Sequence, residues 1–166
     1  MIALDIANAL STAVGEAHGI APDDFEREIE KGGEICARIA REKREGRYPF
    51  ADLPFRLDEA QMIVDEAERR RGRYRNFVHI GIGGSALGAI ALFDALTHPY
   101  HNLLPDSDRA GAPRIFFLDN VDADQTRALL ELVGTRETLF HIVTKSGETT
   151  ETLAAFLVVL QRLQRD

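Results

Sequence analysis

Residues 76–96 read NFVHIGIGGSALGAIALFDAL. An apolar run from Phe77 to Ile82 meets glycines at Gly81, Gly83 and Gly84. From Ser85 onward the apolar residues recur at helical spacing, so the stretch reads as a strand, a tight turn and a helix. The pattern returns downstream, where Thr138–Thr144 (TLFHIVT) reads as a buried strand and Lys145–Thr152 (KSGETTET) as a hydroxyl-rich turn entering a helix. In a parallel sheet both turns lie at the carboxyl ends of strands, where open α/β folds bind their ligands.

The rest of the chain extends this frame. Arg114–Leu118 (RIFFL) reads as another buried strand, and Asp122 with Gln125 starts a helix through Thr126 to Val133. A last helix runs from Thr150 to about Arg165. The order β-α-β-α-β-α predicts an α/β fold, a three-layer doubly wound parallel sheet. Thr97–Pro113, with three prolines, is a long connection between the first two strands.

Residues 1–75 read as a helical amino-terminal extension ahead of the sheet domain at 76–166. Ile2, Ile6, Leu10 and Val14 form a stripe on a first helix, stopped by Gly19 and Pro22. Asp23 caps a second helix carrying Phe25, Ile29, Ile35 and Ile39, with a bend or break expected at Gly32-Gly33. Gly46–Pro54 is an ordered loop, and Asp58 caps a third helix to about Arg70. The arginines at 69, 70, 71, 73 and 75 suit a solvated helix end, where exposed carbonyls carry partial negative charge.

Composition excludes several classes. The 166 residues are 45% hydrophobic, enough for a sizeable core, and carry a formal net charge of -7. That charge argues against a general nucleic-acid surface, so an anionic ligand has to be held locally. One cysteine, Cys36, rules out an internal disulfide, and its place in a helical segment predicts a packing role. No apolar run is long enough to span a bilayer, which makes the cytoplasm the simplest compartment.

The glycine turn satisfies the dinucleotide fingerprint, but an acidic residue about 20 positions on is missing; the next strand ends only at Asp119. A nicotinamide oxidoreductase is therefore a rival reading. Lys145-Ser146 lacks the glycines of a nucleotide P-loop. Thr144, Ser146 and Thr149 offer hydroxyls, Gly147 allows close backbone approach, and the following helix presents unpaired N–H groups. That set suits a phosphate monoester, although Ser and Thr are also favoured helix caps in their own right.

HIGIGGSALG (His79–Gly88) and VTKSGETTETL (Val143–Leu153) resemble the two sugar-phosphate loops of the glucose-6-phosphate isomerase family. LDNVD (Leu118–Asp122) and HPYHNLLP (His98–Pro105) are similar to its bacterial members. The resemblance implies two sugar-isomerase (SIS) domains in the whole enzyme, each a five-stranded parallel sheet between helices. It also implies a homodimer that interconverts glucose 6-phosphate and fructose 6-phosphate through an enediol, with no metal or organic cofactor, no nucleic acid and no membrane. By it, Gly84 and Ser85 contact the sugar phosphate, while Thr144, Lys145, Ser146 and Thr149 cradle its phosphate.

Glu148 stands where the family usually has a small hydroxyl residue, adding negative charge beside the anion. The family's glutamate base and its ring-opening histidine and lysine fall later than the second loop. The resemblance therefore implies an amino-terminal portion with three strands of the first SIS domain, the strand at Phe77–Ile82 lying between the other two. No catalytic residue is assigned within this chain, which is expected to be inactive by itself. His79 and His141 lie in strand runs and are expected to be packed; Glu151 sits where it would orient a histidine from another segment. The other class of function open to such a fold is a non-catalytic SIS-type sugar-phosphate sensor.

Overall fold

Three parallel strands form the sheet of this protein, whose computed structural model describes residues 3–166. The chain divides into two compact units, one ending at Ala60 and the other running from Gln61 to Asp166.

The first unit is helical. A 3-10 turn at Ala7–Ala9 precedes α1 (Ser11–Val14), and Leu10 forms a parallel bridge with Ile20. The expected single first helix is thus broken at Leu10, whose backbone is extended; Ile2 of its stripe lies outside the described residues. Ser11 N–H donates to the Ile20 carbonyl and Ile20 N–H to that of Ala9, so bridge bonds replace helical ones.

The next helix, α2 (Pro22–Arg44), starts one residue earlier than expected, with Pro22 rather than Asp23 opening it. It runs without interruption through Gly32-Gly33, against the bend expected there. Two glycines cost about 2 kcal/mol of propensity, which a helix of 23 residues with acidic residues at its start and basic ones at its end absorbs. Its apolar residues Ile29, Ile35 and Ile39 are exposed, and Cys36 is exposed as well, not packed as expected. Residues Pro49–Phe55 wind as a 3-10 helix where an ordered loop was expected, and Tyr48 Oη donates to Glu42 beside it.

Between Leu57 and Arg70 lies α3. Arg69 and Arg70 pair with Glu66, and Arg71 with Glu68, at 2.5–2.7 Å on the exposed helix end. Three of the cluster's arginines thus pair with two glutamates of α3.

In the second unit the strands are β1 (Asn76–Ile80), β2 (Arg114–Leu118) and β3 (Thr138–Ile142), in the order β2-β1-β3. Between β1 and β2 comes α4 (Leu87–Leu96), between β2 and β3 α5 (Ala123–Val133), and after β3 α6 (Thr150–Arg165). The central place of β1 matches the expectation. Side chains alternate across the strands. Val78, Ile80 and Leu118 are buried with Leu129, Leu130 and Val133 of α5 and Val159 of α6, and Phe116, Phe140 and Ile142 pack on them. The opposite row, in register across the sheet, is Phe117, His79 and His141.

Asn76 closes the lower end of the sheet. It is fully buried; its Nδ2 donates to the Val133 carbonyl at 2.8 Å and to Thr138 Oγ1 at 3.2 Å, and its Oδ1 accepts from Arg114 Nε at 2.9 Å. One side chain so ties all three strands to the end of α5. Asp122 caps α5 through its carboxylate and the Gln125 N–H at 2.8 Å, as its spacing predicted.

The two outer edges differ. Along β2, Asn102 of the long connection donates to the Ile115 carbonyl at 2.6 Å and accepts from the Ile115 N–H at 2.7 Å, standing in for a neighbouring strand. His101 Nε2 lies 3.0 Å from the Pro113 carbonyl just before that strand. Among the described residues, the only strand partner of β3 is β1.

Candidate functional site

The first loop leaves β1 at Gly81 and turns through a 3-10 step at Gly83–Ser85 before α4 begins at Leu87. Ser85 therefore belongs to the turn, two residues ahead of the helix it was expected to open. Gly84 is exposed, Ser85 half-buried and Ala86 buried. The second loop leaves β3 at Val143 and reaches α6 at Thr150. Thr144 and Thr149 are half-buried, Lys145 and Ser146 exposed.

These loops are neighbours because their strands are. Val143 N–H donates to the Ile80 carbonyl at 2.8 Å, extending the ladder past the last paired residues. A Cβ on Gly81 would lie 3.0 Å from the Ser85 carbonyl oxygen and 3.1 Å from that of Val143. A side chain here would press on the backbone of both turns, which would have to give by a few tenths of an ångström.

The second loop is held by its own hydroxyls. Thr144 Oγ1 accepts from the Gly147 N–H at 3.1 Å, and Ser146 Oγ from the Glu148 N–H at 3.2 Å. Each hydroxyl uses an oxygen lone pair in this way, leaving its O–H to donate outward. Gly147 takes φ +77°, a left-handed value that carries no Cβ penalty in glycine. Thr149 is the residue before α6, yet its side chain makes no capping bond. A hydroxyl at a helix start that does not cap leaves both itself and the first-turn N–H groups available to an anion.

Sequence reasoning missed a small cleft where β1 and β2 end against α6, lined by both apolar and polar residues, among them Leu118, Ala155, Asp119, Asn120, Glu151 and Thr152. Thr152 Oγ1 is buried there and meets no protein partner. The sequence signal was the proximity of LDN to the strand end, which mattered only once β2 lay beside β1.

Beneath the first loop His79 is buried, and its Nε2 lies 2.7 Å from the Ser85 carbonyl oxygen. His141 Nδ1 lies 3.2 Å from His79 Nδ1. His141 is exposed, against its expected packing, because β3 is the outer strand on that face. Burial of part of its ring, followed by the nearby His79, lowers the pKa of His141.

A parallel sheet with glycine- and hydroxyl-rich turns at the carboxyl ends of adjacent strands is the architecture of an open α/β ligand-binding domain. A family model described as phosphoglucose isomerase matches residues 68–164, and the chain belongs to that family. A glucose-6-phosphate isomerase of Rubrobacter xylanophilus is 43% identical over 66% of this chain and 25% of its own length. That of Carboxydothermus hydrogenoformans is 33% identical over 86% of this chain and 31% of its own.

Among solved structures, a hypothetical protein of Thermus thermophilus aligns with a TM-score of 0.65 at 30% identity, over 87% of this chain and 33% of that one. A glucose-6-phosphate isomerase of Chlamydia trachomatis aligns with a TM-score of 0.55 at 31% identity, over 66% of this chain and 19% of its own. The chain thus spans about a quarter to a third of the curated relatives it matches. No helix among the described residues is long and apolar enough to cross a membrane.

Proposed function

We propose that this chain supplies the sugar-phosphate-binding loops of a glucose-6-phosphate isomerase, an aldose-ketose isomerase working through an enediol on glucose 6-phosphate and fructose 6-phosphate. Gly84 and Ser85 contact the sugar phosphate from the first loop. Thr144, Ser146 and Thr149 donate to its phosphate, Lys145 adds a positive charge, and the first-turn N–H groups of α6 complete the cradle. In this reading residues 76–166 are part of a first SIS domain and residues 1–75 its helical extension; the full-length enzyme is a cytoplasmic homodimer.

The single observation that carries the reading is the close approach of the two loops at Gly81, with a non-capping Thr149 at the start of α6. Family membership and the names of the relatives supply the substrate class.

Binding and turnover separate in this proposal. Moving a proton between C1 and C2 needs a carboxylate base, and the developing oxyanion needs a cation. We assign those groups to polypeptide corresponding to the rest of the relatives' length, so the 166 residues bind sugar phosphate without isomerising it. Titration calorimetry with fructose 6-phosphate and with a nicotinamide dinucleotide tests this: heat with the sugar phosphate alone supports it. Binding of the dinucleotide alone would replace it with the oxidoreductase reading.

A further inference from the structure

The geometry points to a second role for the face of the sheet opposite the main core: His79 and His141 form a coupled pair that positions the first loop. His79 Nε2–H holds the Ser85 carbonyl, and His141 fixes the tautomer in which it does so. This deepens the proposal above and rests on its reading of the first loop as a sugar-phosphate contact.

The tautomers follow from the acceptors. A backbone carbonyl only accepts, so the 2.7 Å approach of His79 Nε2 to the Ser85 oxygen requires the proton on Nε2. In the neutral ring His79 Nδ1 then carries a lone pair. The atom facing it, His141 Nδ1 at 3.2 Å, has to donate, which places the proton of neutral His141 on Nδ1. A chain of two hydrogen bonds thus runs from the outer strand, across the central strand, to the backbone of the first loop.

Aromatic rings flank the pair on the sheet. His79 packs on Phe117 of β2 at 5.7 Å between centroids and on His141 at 5.2 Å; His141 packs on Phe77 at 5.4 Å. Phe93 of α4 lies 5.7 Å from Phe117 and 5.4 Å from His101. These ring contacts lead, two rings away from the pair, to His101, which is engaged with the Pro113 carbonyl. The charged residue of α4, Asp94, is bonded to neither ring of the pair.

Long-range ¹H–¹⁵N NMR of the histidine rings in the whole chain tests this directly. At pH 8 the expected result is His79 as the Nε2–H tautomer and His141 as Nδ1–H. Rapid tautomer averaging of either ring, or the opposite tautomer on either, would overturn the pair.

Calorimetry with fructose 6-phosphate supplies the functional arm. His79→Val is expected to weaken binding about tenfold through the lost hydrogen bond. His79→Gln, whose Nε2 reaches the same carbonyl, is expected to recover to within about threefold. Equal affinity in His79→Val and the unaltered chain, or no recovery in a folded His79→Gln, would remove the positioning role. If the unaltered chain binds no fructose 6-phosphate, the reading of the loop falls, and the tautomers alone decide the pair.

Discussion

Gly81 and Val143 approach so closely that a Cβ on the first would lie 3.1 Å from the carbonyl oxygen of the second. Ser85 closes the other side, its carbonyl oxygen 3.0 Å and its Cβ 3.1 Å from the same point. Two of these contacts are to backbone, which yields only by moving a loop. Gly81→Ala is therefore expected to destabilise the chain by about 1–3 kcal/mol, as overpacking does, and to weaken fructose 6-phosphate binding with it. Chemical denaturation and calorimetry on the same variant check both; unchanged stability would mean that the loops do not meet there.

The hydroxyls of the second loop give a sharper test of the phosphate cradle. Replacing Ser146 and Thr149 together with alanine is expected to cost about 1–3 kcal/mol of sugar-phosphate binding, for hydrogen bonds to a charged group. Thr149 makes no capping bond, so little of its loss should appear as stability. Calorimetry showing the same affinity in the double variant would rule the cradle out.

Asn76 ties the strands together from a fully buried position. Asn76→Val leaves the Val133 carbonyl, Thr138 Oγ1 and Arg114 Nε each without that partner. A loss of about 2–3 kcal/mol in denaturant unfolding is expected, because orphaned buried groups cost more than the bonds they formed. A change below about 0.5 kcal/mol would show that the network contributes nothing net.

Stability should fall on mild acidification. The pKa of folded His141 lies below its ordinary value, mainly through burial and secondarily through His79. A depressed folded pKa means that the folded state resists protonation, so its stability is full above about pH 6.5 and is lost as pH drops through the folded value. The Tm of the chain is expected to fall from pH 7 to 5.5, and that of His141→Val to fall less. Parallel Tm curves would exclude the effect.

The sheet's edges predict how the chain associates. Asn102 covers β2 at Ile115, whereas β3, among the described residues, pairs only with β1. An unpaired edge is a template for another strand, and Leu153, Leu157 and Val158 of α6 add exposed apolar surface in the second unit. Sedimentation should show association that grows with concentration, and Asn102→Ala, by uncovering the second edge, should increase it. A monomer at all concentrations in both proteins would contradict this.

Much of the α/β framework was legible in the residues themselves. The spans of β2 and α6, the cap at Asp122 and the central place of β1 followed from apolar runs, turn residues and the order of elements. Family membership followed from two motifs whose glycines and hydroxyls are too specific for ordinary turns. The amino-terminal unit was read less well. Its apolar stripe gave no warning that Leu10 would turn to pair with Ile20, or that α2 would carry two glycines unbroken. Local propensity differences of about 1 kcal/mol are easily overruled by a bridge or a long helix.

Periodicity, capping and turn chemistry are local, and the order of residues alone determined where strands, turns and most helices of the sheet domain lie. Tertiary structure alone decided which side chains meet. Register placed His79 beside His141, 62 residues apart in the chain, and brought the turn after β1 against the start of the turn after β3. Hydrogen bonds and van der Waals contacts act over a few ångströms, so pairs distant in sequence acquire meaning only when the folded sheet brings them within that reach.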